Sequence, residues 1–135
     1  MAMEFWWEDE THTIMRLDIG LGTTWDEYHD GLDRLARDVT AAEHGVYLVM
    51  QIMGNMPPGN PLPHLKLGIG KLSDIPNLAA MMVVGKHRMS AFAQEVIHLL
   101  VRLFGRELPA NGGYYATVED AHAAIAKLRE AEKMG

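Results

Sequence analysis

The chain has 135 residues, of which 48% are hydrophobic and 22% charged, with a formal net charge of -6 and no cysteine. This length predicts a single domain over residues 1–135 that buries enough surface to fold without a disulfide or a structural metal. The lack of cysteine excludes disulfide scaffolds and cysteine-based zinc modules. No apolar run approaches the roughly 18 residues of a membrane span, and the first residues are acidic, so we expect a soluble, cytoplasmic protein with no membrane span.

Charge is distributed unevenly along the chain. Residues 1–43 carry a balance of -8, whereas residues 44–106 carry +4. A net-acidic protein repels nucleic-acid phosphates, and the basic middle lacks the aromatic-rich strands of single-strand readers, so we expect no nucleic-acid partner. Any anion-binding face is expected within residues 44–106.

The first third of the chain predicts a β-hairpin and a helix. Residues 4–8 and 12–19 are rich in strand-forming side chains and are separated by three polar residues. Alternate residues of the second strand are apolar, which predicts that one of its faces is buried. A helix over about 24–42 follows, because Thr24 and Glu27 have the spacing of a capping box and apolar residues recur at helical spacing: Trp25, Tyr28, Leu32, Leu35 and Val39.

The middle of the chain predicts two buried strands separated by a loop and a weak helix. Residues 46–53 are nearly all apolar, which is typical of a strand covered on both faces. Four of the six prolines fall within residues 53–63, which predicts a loop. A glycine-interrupted helix is expected over 62–72, and a second buried strand over 78–84.

The last third predicts two helices and one short strand. Ser90 can cap a helix that runs to Gly105, with apolar residues at helical spacing. A strand over 113–116 precedes a final helix that Thr117 can cap. The predicted order is therefore β-β-α-β-α-β-α-β-α, an α/β fold with a mixed, mostly parallel sheet that begins with an antiparallel hairpin.

This order resembles the STAS-like fold of sulphate transporters and anti-sigma-factor antagonists, and the neighbouring lipid-binding Sec14 and CRAL-TRIO domains. The tail that begins Tyr-Ala-Thr-Val-Glu-Asp-Ala-His at Tyr115 is similar to the strand and helix that end STAS-like domains. The apolar stretch 45–52 and the loop after it resemble the family's central strand and switch region. The resemblance implies a non-enzymatic regulatory module that binds a protein partner, with a small-ligand or lipid-binding protein as the alternative.

The switch region departs from the family pattern. In anti-sigma-factor antagonists a Ser or Thr, usually after an Asp, caps the helix that follows the central strand, and a partner kinase phosphorylates it. Residues 51–60 of this chain contain neither Asp, Ser nor Thr. We therefore expect this chain to lack the phosphoswitch.

The proline-rich loop is the first candidate site, because long loops inside small domains are often functional. Parallel strands would place residues 53–64 and 85–88 along one edge of the sheet. A small anion such as phosphate or carboxylate, or a protein partner, could bind there through Asn55, Asn60, His64, Lys86, His87 and Arg88. Met53 and Met56 would line an apolar groove, or a lipid pocket under the loop. The alternative is a solvated surface with prolines that stiffen a turn.

Other chemistry finds little support in the sequence. Seven histidines show no metal-binding spacing, so we expect no metal and no cofactor. No cysteine or serine elbow supplies a nucleophile, and a non-enzymatic protein is expected. Gly22 and Gly70 are interpreted as turn or helix-break residues, since no third glycine completes a dinucleotide motif. Trp6 and Trp7 of the predicted hairpin could form an apolar patch for a partner or a second copy of the chain, as in a homodimer.

Overall fold

The computed structural model describes residues 3–20, 22–52, 60–85, 113–115 and 117–134. These residues form a mixed α/β fold in which helices pack on both faces of a sheet. The strands and helices, in chain order, are β1 Met3–Trp7, β2 Ile14–Ile19, α1 Trp25–Ala42, β3 Val46–Ile52, α2 Pro61–Ser73, β4 Leu78–Gly85, β5 Gly113–Tyr115 and α3 Val118–Met134. The helix predicted between Ser90 and Gly105 lies outside the described residues.

The five strands lie side by side in the order of the sequence. Strands β1 and β2 pair antiparallel, and every later neighbour pairs parallel. The predicted hairpin followed by parallel strands is therefore confirmed. The last residues of β3 and β4, Ile52 and Gly85, are paired with each other, so both strands end at the same edge of the sheet.

Asp9 organises the turn between β1 and β2. Its carboxylate accepts hydrogen bonds from the backbone amides of Thr13, at 2.9 Å, and Ile14, at 3.0 Å, and from the hydroxyls of Thr11 and Thr13. Burial would raise the pKa of Asp9, but these hydrogen bonds outweigh it and hold the pKa well below its ordinary value. The turn also places His12 in a left-handed conformation, where its ring stacks on Trp7.

Helix α1 forms as the local signals predict. Thr24 accepts a hydrogen bond from the Glu27 amide, and the Glu27 carboxylate accepts one from the Thr24 amide, which completes the capping box. Four residues of the apolar stripe are buried: Tyr28, Leu32, Leu35 and Val39. The helix ends at Glu43, which takes a left-handed conformation at φ 63°.

Helix α2 corrects two expectations. It spans residues 61–73, which confirms the helix expected over 62–72 but shows that residues 61–63 are helical, while residues 53–59 of the predicted loop lie outside the described residues. Proline is compatible with the first turn of a helix, where the backbone N–H has no acceptor within the helix. The helix also continues through Gly70 to Ser73, so Gly70 does not break it, whereas Gly22 does lie in a turn, at φ 81°.

Two apolar cores lie on opposite faces of the sheet. Alternate residues of β3 enter different cores, as expected for a strand covered on both faces: Leu48 and Met50 face α1 and α2, whereas Tyr47 and Val49 face α3. The Thr117 hydroxyl caps α3 by accepting a hydrogen bond from the Asp120 amide at 3.1 Å. Within the described residues, no helix is both long and apolar enough to cross a membrane.

Candidate functional site

The predicted site is only partly described by the structure. Asn60 directly precedes α2 and is exposed, and His64 lies in the first turns of that helix, half-buried. The other predicted site residues fall outside the described residues: Met53, Asn55, Met56, Lys86, His87 and Arg88. The structure shows only that β3 and β4 end at the same edge of the sheet, at the paired residues Ile52 and Gly85.

His64 contacts α1 instead of standing alone on the surface. Its ring stacks on Trp25, with centroids 4.4 Å apart and planes within 7° of each other. Its Nδ1 lies 2.9 Å from Nε2 of His29, a hydrogen-bonding distance between two imidazoles. The Tyr28 ring packs edge-on against both Trp25 and His29. We call these four residues the imidazole cluster: Trp25, Tyr28, His29 and His64.

A glycine in α2 makes the close packing of this cluster sterically feasible. Gly68 lies against Tyr28, and a methyl group added at Gly68 would be 2.1 Å from the Tyr28 hydroxyl oxygen. Burial raises the pKa of Tyr28 to about 12, so the hydroxyl stays neutral. Lys71 adds a polar link, because its Nζ donates to the His29 backbone oxygen at 3.3 Å and forms an ion pair with Asp33 at 3.1 Å.

The cluster disfavours a positive charge on His29. Burial lowers the pKa of His29, and the nearby Lys71 and His64 lower it further, while Asp33 and Asp26 act in the opposite direction. The Nδ1 atom of His29 is buried and has no hydrogen-bond partner among the described residues. His29 is therefore suited to remain neutral where an ordinary histidine begins to be protonated.

The outer face of α2 exposes a large apolar side chain, Leu67, among the described residues. Leu67 is 59% exposed, and Pro63 and Lys66 beside it are also exposed. The helix contains no acidic residue, and its only polar side chains are His64, Lys66, Lys71 and Ser73. An apolar helix is normally covered, so this face is a candidate docking surface. We call Pro63, Lys66 and Leu67 the α2 surface.

A charged network occupies the opposite face of the sheet. Arg16 donates hydrogen bonds to Glu8 at 3.0 Å, Asp18 at 2.7 Å and Gln51 at 2.5 Å. Burial alone would lower the pKa of Arg16, but the two carboxylates raise it above its ordinary value. Nε2 of His122 lies 2.5 Å from the second Glu8 oxygen, which links α3 to this network. Because the Arg16 donors already have partners, we interpret this network as structural.

Sequence patterns do not reveal the imidazole cluster. His29 and His64 are 35 positions apart, and only the packing of α2 on α1 brings them together. Trp25 is a local signal, because its position in the apolar stripe of α1 predicts packing, but the sequence does not indicate that it stacks on His64. Trp6 is 39% exposed with the Arg16 guanidinium over its ring, whereas Trp7 packs against the first core.

The remaining candidates for chemistry among the described residues are metal-ligating side chains and Ser73. Among them, no three His, Asp or Glu side chains converge to hold a metal ion. The Ser73 hydroxyl donates to the Gly70 carbonyl within α2, as a helix-terminal serine commonly does. Comparison with family models gives no match, and neither the curated proteins nor the solved structures give a significant match. The contacts of the chain's own residues therefore carry the functional proposal.

Proposed function

We propose that this chain is a non-enzymatic regulatory module of STAS-like type that binds a protein partner through the α2 surface. The order of strands in the sheet supports this proposal, because the antiparallel start and the parallel remainder match the pattern from which the resemblance was drawn. The proposed module covers residues 1–135 as one domain and acts without a metal or cofactor.

The exposed apolar face of α2 is the observation that carries the proposal. Leu67 projects from the surface with 59% of its area exposed, while Leu65 and Leu72 of the same helix pack into the first core. A surface helix normally presents charged side chains to water. Full burial of an exposed leucine is worth about 1.5 to 3 kcal/mol, so burying the exposed 59% of Leu67 should contribute about 1 to 2 kcal/mol, which makes Leu67 the expected anchor.

Charge determines the chemistry of the expected partner. Lys66 is exposed on the α2 surface, Lys71 lies one turn further along, and α2 contains no acid. Exposed α1 residues Asp26, Asp30 and Asp33 make the neighbouring surface acidic. We therefore propose a partner with an apolar pocket for Leu67 and an acidic rim facing Lys66, since opposite charges speed association and fix its register.

The proposed module does not use the family's phosphoswitch. The residue immediately before α2 is Asn60, where the family pattern places a phosphorylated Ser or Thr, and residues 51–60 contain no hydroxyl side chain. Regulation of the α2 surface must then come from another property of this region.

Site-specific photocrosslinking tests the proposed surface. A photoreactive amino acid at Leu67 in cells of the source organism is expected to give one discrete crosslinked protein, and the same group at exposed Arg37 on α1 is the matched control. The crosslinked protein, purified, should bind the wild-type chain, and Leu67→Ser should weaken binding by about tenfold or more. Lys66→Glu should weaken it most at low salt.

Three other results would redirect the proposal. Identical products from positions 67 and 37, or no product from either, would mean that α2 is not the docking surface. A crosslink to a second copy of the chain would identify a homodimer. Native mass spectrometry distinguishes the alternative function: the expected mass is that of the chain alone, and a co-purified lipid or small anion would support a ligand carrier.

A further inference from the structure

We propose that the hydrogen-bonded imidazoles of His29 and His64 make the packing of α2 on α1 sensitive to pH. Mild acid would then weaken the contact between α1 and the helix that carries the α2 surface. The pH sensitivity is a property of the isolated chain. Only its consequence for binding rests on the proposed function.

The distance between the two rings limits how many protons they can hold. A contact of 2.9 Å between His64 Nδ1 and His29 Nε2 requires an N–H on one ring and a lone pair on the other. A neutral pair meets this requirement, and so does a pair with one extra proton. Two imidazolium rings would direct two N–H groups at each other, so the second proton must break the hydrogen bond.

The surroundings of the pair decide which ring resists protonation. The Trp25 ring lies flat against His64 and restricts the orientation of its imidazole. A charged His29 would carry an N–H at Nδ1, which is buried without an acceptor among the described residues. The packing of the pair therefore opposes protonation at His29, and a proton added there to a charged pair breaks the hydrogen bond.

The charged groups around the pair come from both helices. Asp26 and Asp33 on α1 favour a proton on His29, while Lys71 on α2 disfavours it and is itself paired with Asp33. No acid on α2 faces the pair, because α2 contains none. When both rings are charged, α2 has no carboxylate that could pair with them, and the repulsion between the rings acts across the helix interface against the Lys71–Asp33 ion pair.

The direction of the pH effect follows from linkage. The pKa of His29 is lowered in the folded chain, so the unfolded or locally opened chain binds more protons as the pH falls. The stabilisation is fully present above the ordinary histidine pKa of about 6.5 and is lost as the pH falls toward the lower folded value. The binding of a partner to the α2 surface should weaken over the same range of pH.

Hydrogen exchange of the α2 segment tests this inference directly. Peptides from residues 61–73 are followed by mass spectrometry from pH 7.5 to pH 5.0, with rates corrected for the intrinsic pH dependence of exchange. Protection in the wild-type chain should fall by about tenfold for each unit by which the folded pKa of His29 lies below its ordinary value.

Two variants separate the pair from other histidines. His29→Gln places an amide nitrogen near the position of Nε2 without a titratable ring, so it should remove most of the pH dependence. His44→Gln is the matched control, because the Nε2 of exposed His44 also makes a hydrogen bond, to the His12 carbonyl at 2.8 Å, but lies near the other end of α1. This control should keep the wild-type pH dependence.

These measurements decide whether the histidine pair causes the pH dependence of α2. Equal pH dependence in the wild type and in His29→Gln, or none in the wild type, would overturn the inference. If His29→Gln fails to fold, His64→Asn and a nitrogen-15 NMR titration of the wild-type rings give the same answer. Because these measurements need no partner, they can fail while crosslinking at Leu67 succeeds, and the reverse also holds.

Discussion

Replacing Gly68 by alanine tests the close packing of α2 on α1, where Gly68 lies against Tyr28 and Leu32. The added methyl group would lie 2.1 Å from the Tyr28 hydroxyl oxygen, 2.9 Å from Tyr28 Cζ and 3.0 Å from Leu32 Cδ1. Tyr28 and Leu32 are both buried, so neither can swing into water to make room. The methyl group must push α2 away from α1 or force the Tyr28 ring out of its position.

Gly70→Ala is the matched control for this change. Gly70 lies in the same helix, and an added methyl group there would meet nothing within 4 Å. Alanine stabilises a helix interior by about 0.5 to 1 kcal/mol over glycine, and both variants share this gain. The difference between the two variants isolates the cost of the close contact, which overpacking of a core places at about 1 to 3 kcal/mol.

Urea unfolding of the two variants, followed by circular dichroism, measures this difference. Gly70→Ala should be slightly more stable than the wild type, and Gly68→Ala less stable than Gly70→Ala by about 1 to 3 kcal/mol. Tyr28→Phe should rescue Gly68→Ala only in part, because the ring carbon at 2.9 Å remains. Equal stability of the two alanine variants would refute the proposed packing of α2 on Tyr28.

Three further changes test other features of the chain. Glu43→Gly should stabilise the chain by about 1 kcal/mol, because glycine adopts the left-handed conformation at the end of α1 without strain. Glu43→Ala should give no such gain, and thermal unfolding compares the two variants. Asp9→Ala should cost about 1 to 3 kcal/mol at neutral pH because four hydrogen bonds are lost. Since the folded pKa of Asp9 is lowered, its contribution is present above about pH 4 and disappears as the pH falls further, so urea unfolding should show the two chains converging in acid. Incubation with anti-sigma-type kinases should give no phosphopeptide within residues 51–60, and one found by mass spectrometry would overturn the loss of the phosphoswitch.

The parts of the fold that local signals determine could be predicted from the sequence. Helix α1 has its capping box at Thr24 and an apolar stripe of regular spacing, and both signals act within a few residues of each other. Helix α2 is also predicted, over 62–72, but the prolines at 61 and 63 suggest a loop that extends into its first turn. Proline disrupts a helix only where its missing N–H would have had an acceptor, and in the first turn there is none.

The imidazole cluster depends on packing and could not be predicted. Neither His29 nor His64 has another histidine nearby in the sequence, and their contact requires α2 to approach α1 closely at Gly68. The network around Arg16 shows the same limit. Alternation in β2 placed Arg16 and Asp18 together on one face, but the proximity of Glu8 and Gln51 depends on strand pairing and on the turn after β1.

If Gly68 and the histidine pair both stabilise the packing of α2 on α1, their effects on the free energy of unfolding should not be additive. At pH 7.5 the hydrogen bond between the two histidines is intact, and Gly68→Ala should lower the free energy of unfolding by the full cost of the close contact. Once the pH falls below the folded pKa of His29, the second proton loosens α2, so the added methyl group meets a helix that can move away, and the same substitution should cost less. Measuring the variant and the wild type at both pH values gives a coupling energy, which reaches about 0.5 to 3 kcal/mol for residues that share one contact. An unchanged cost in acid would mean that the glycine holds α2 independently of the two imidazoles.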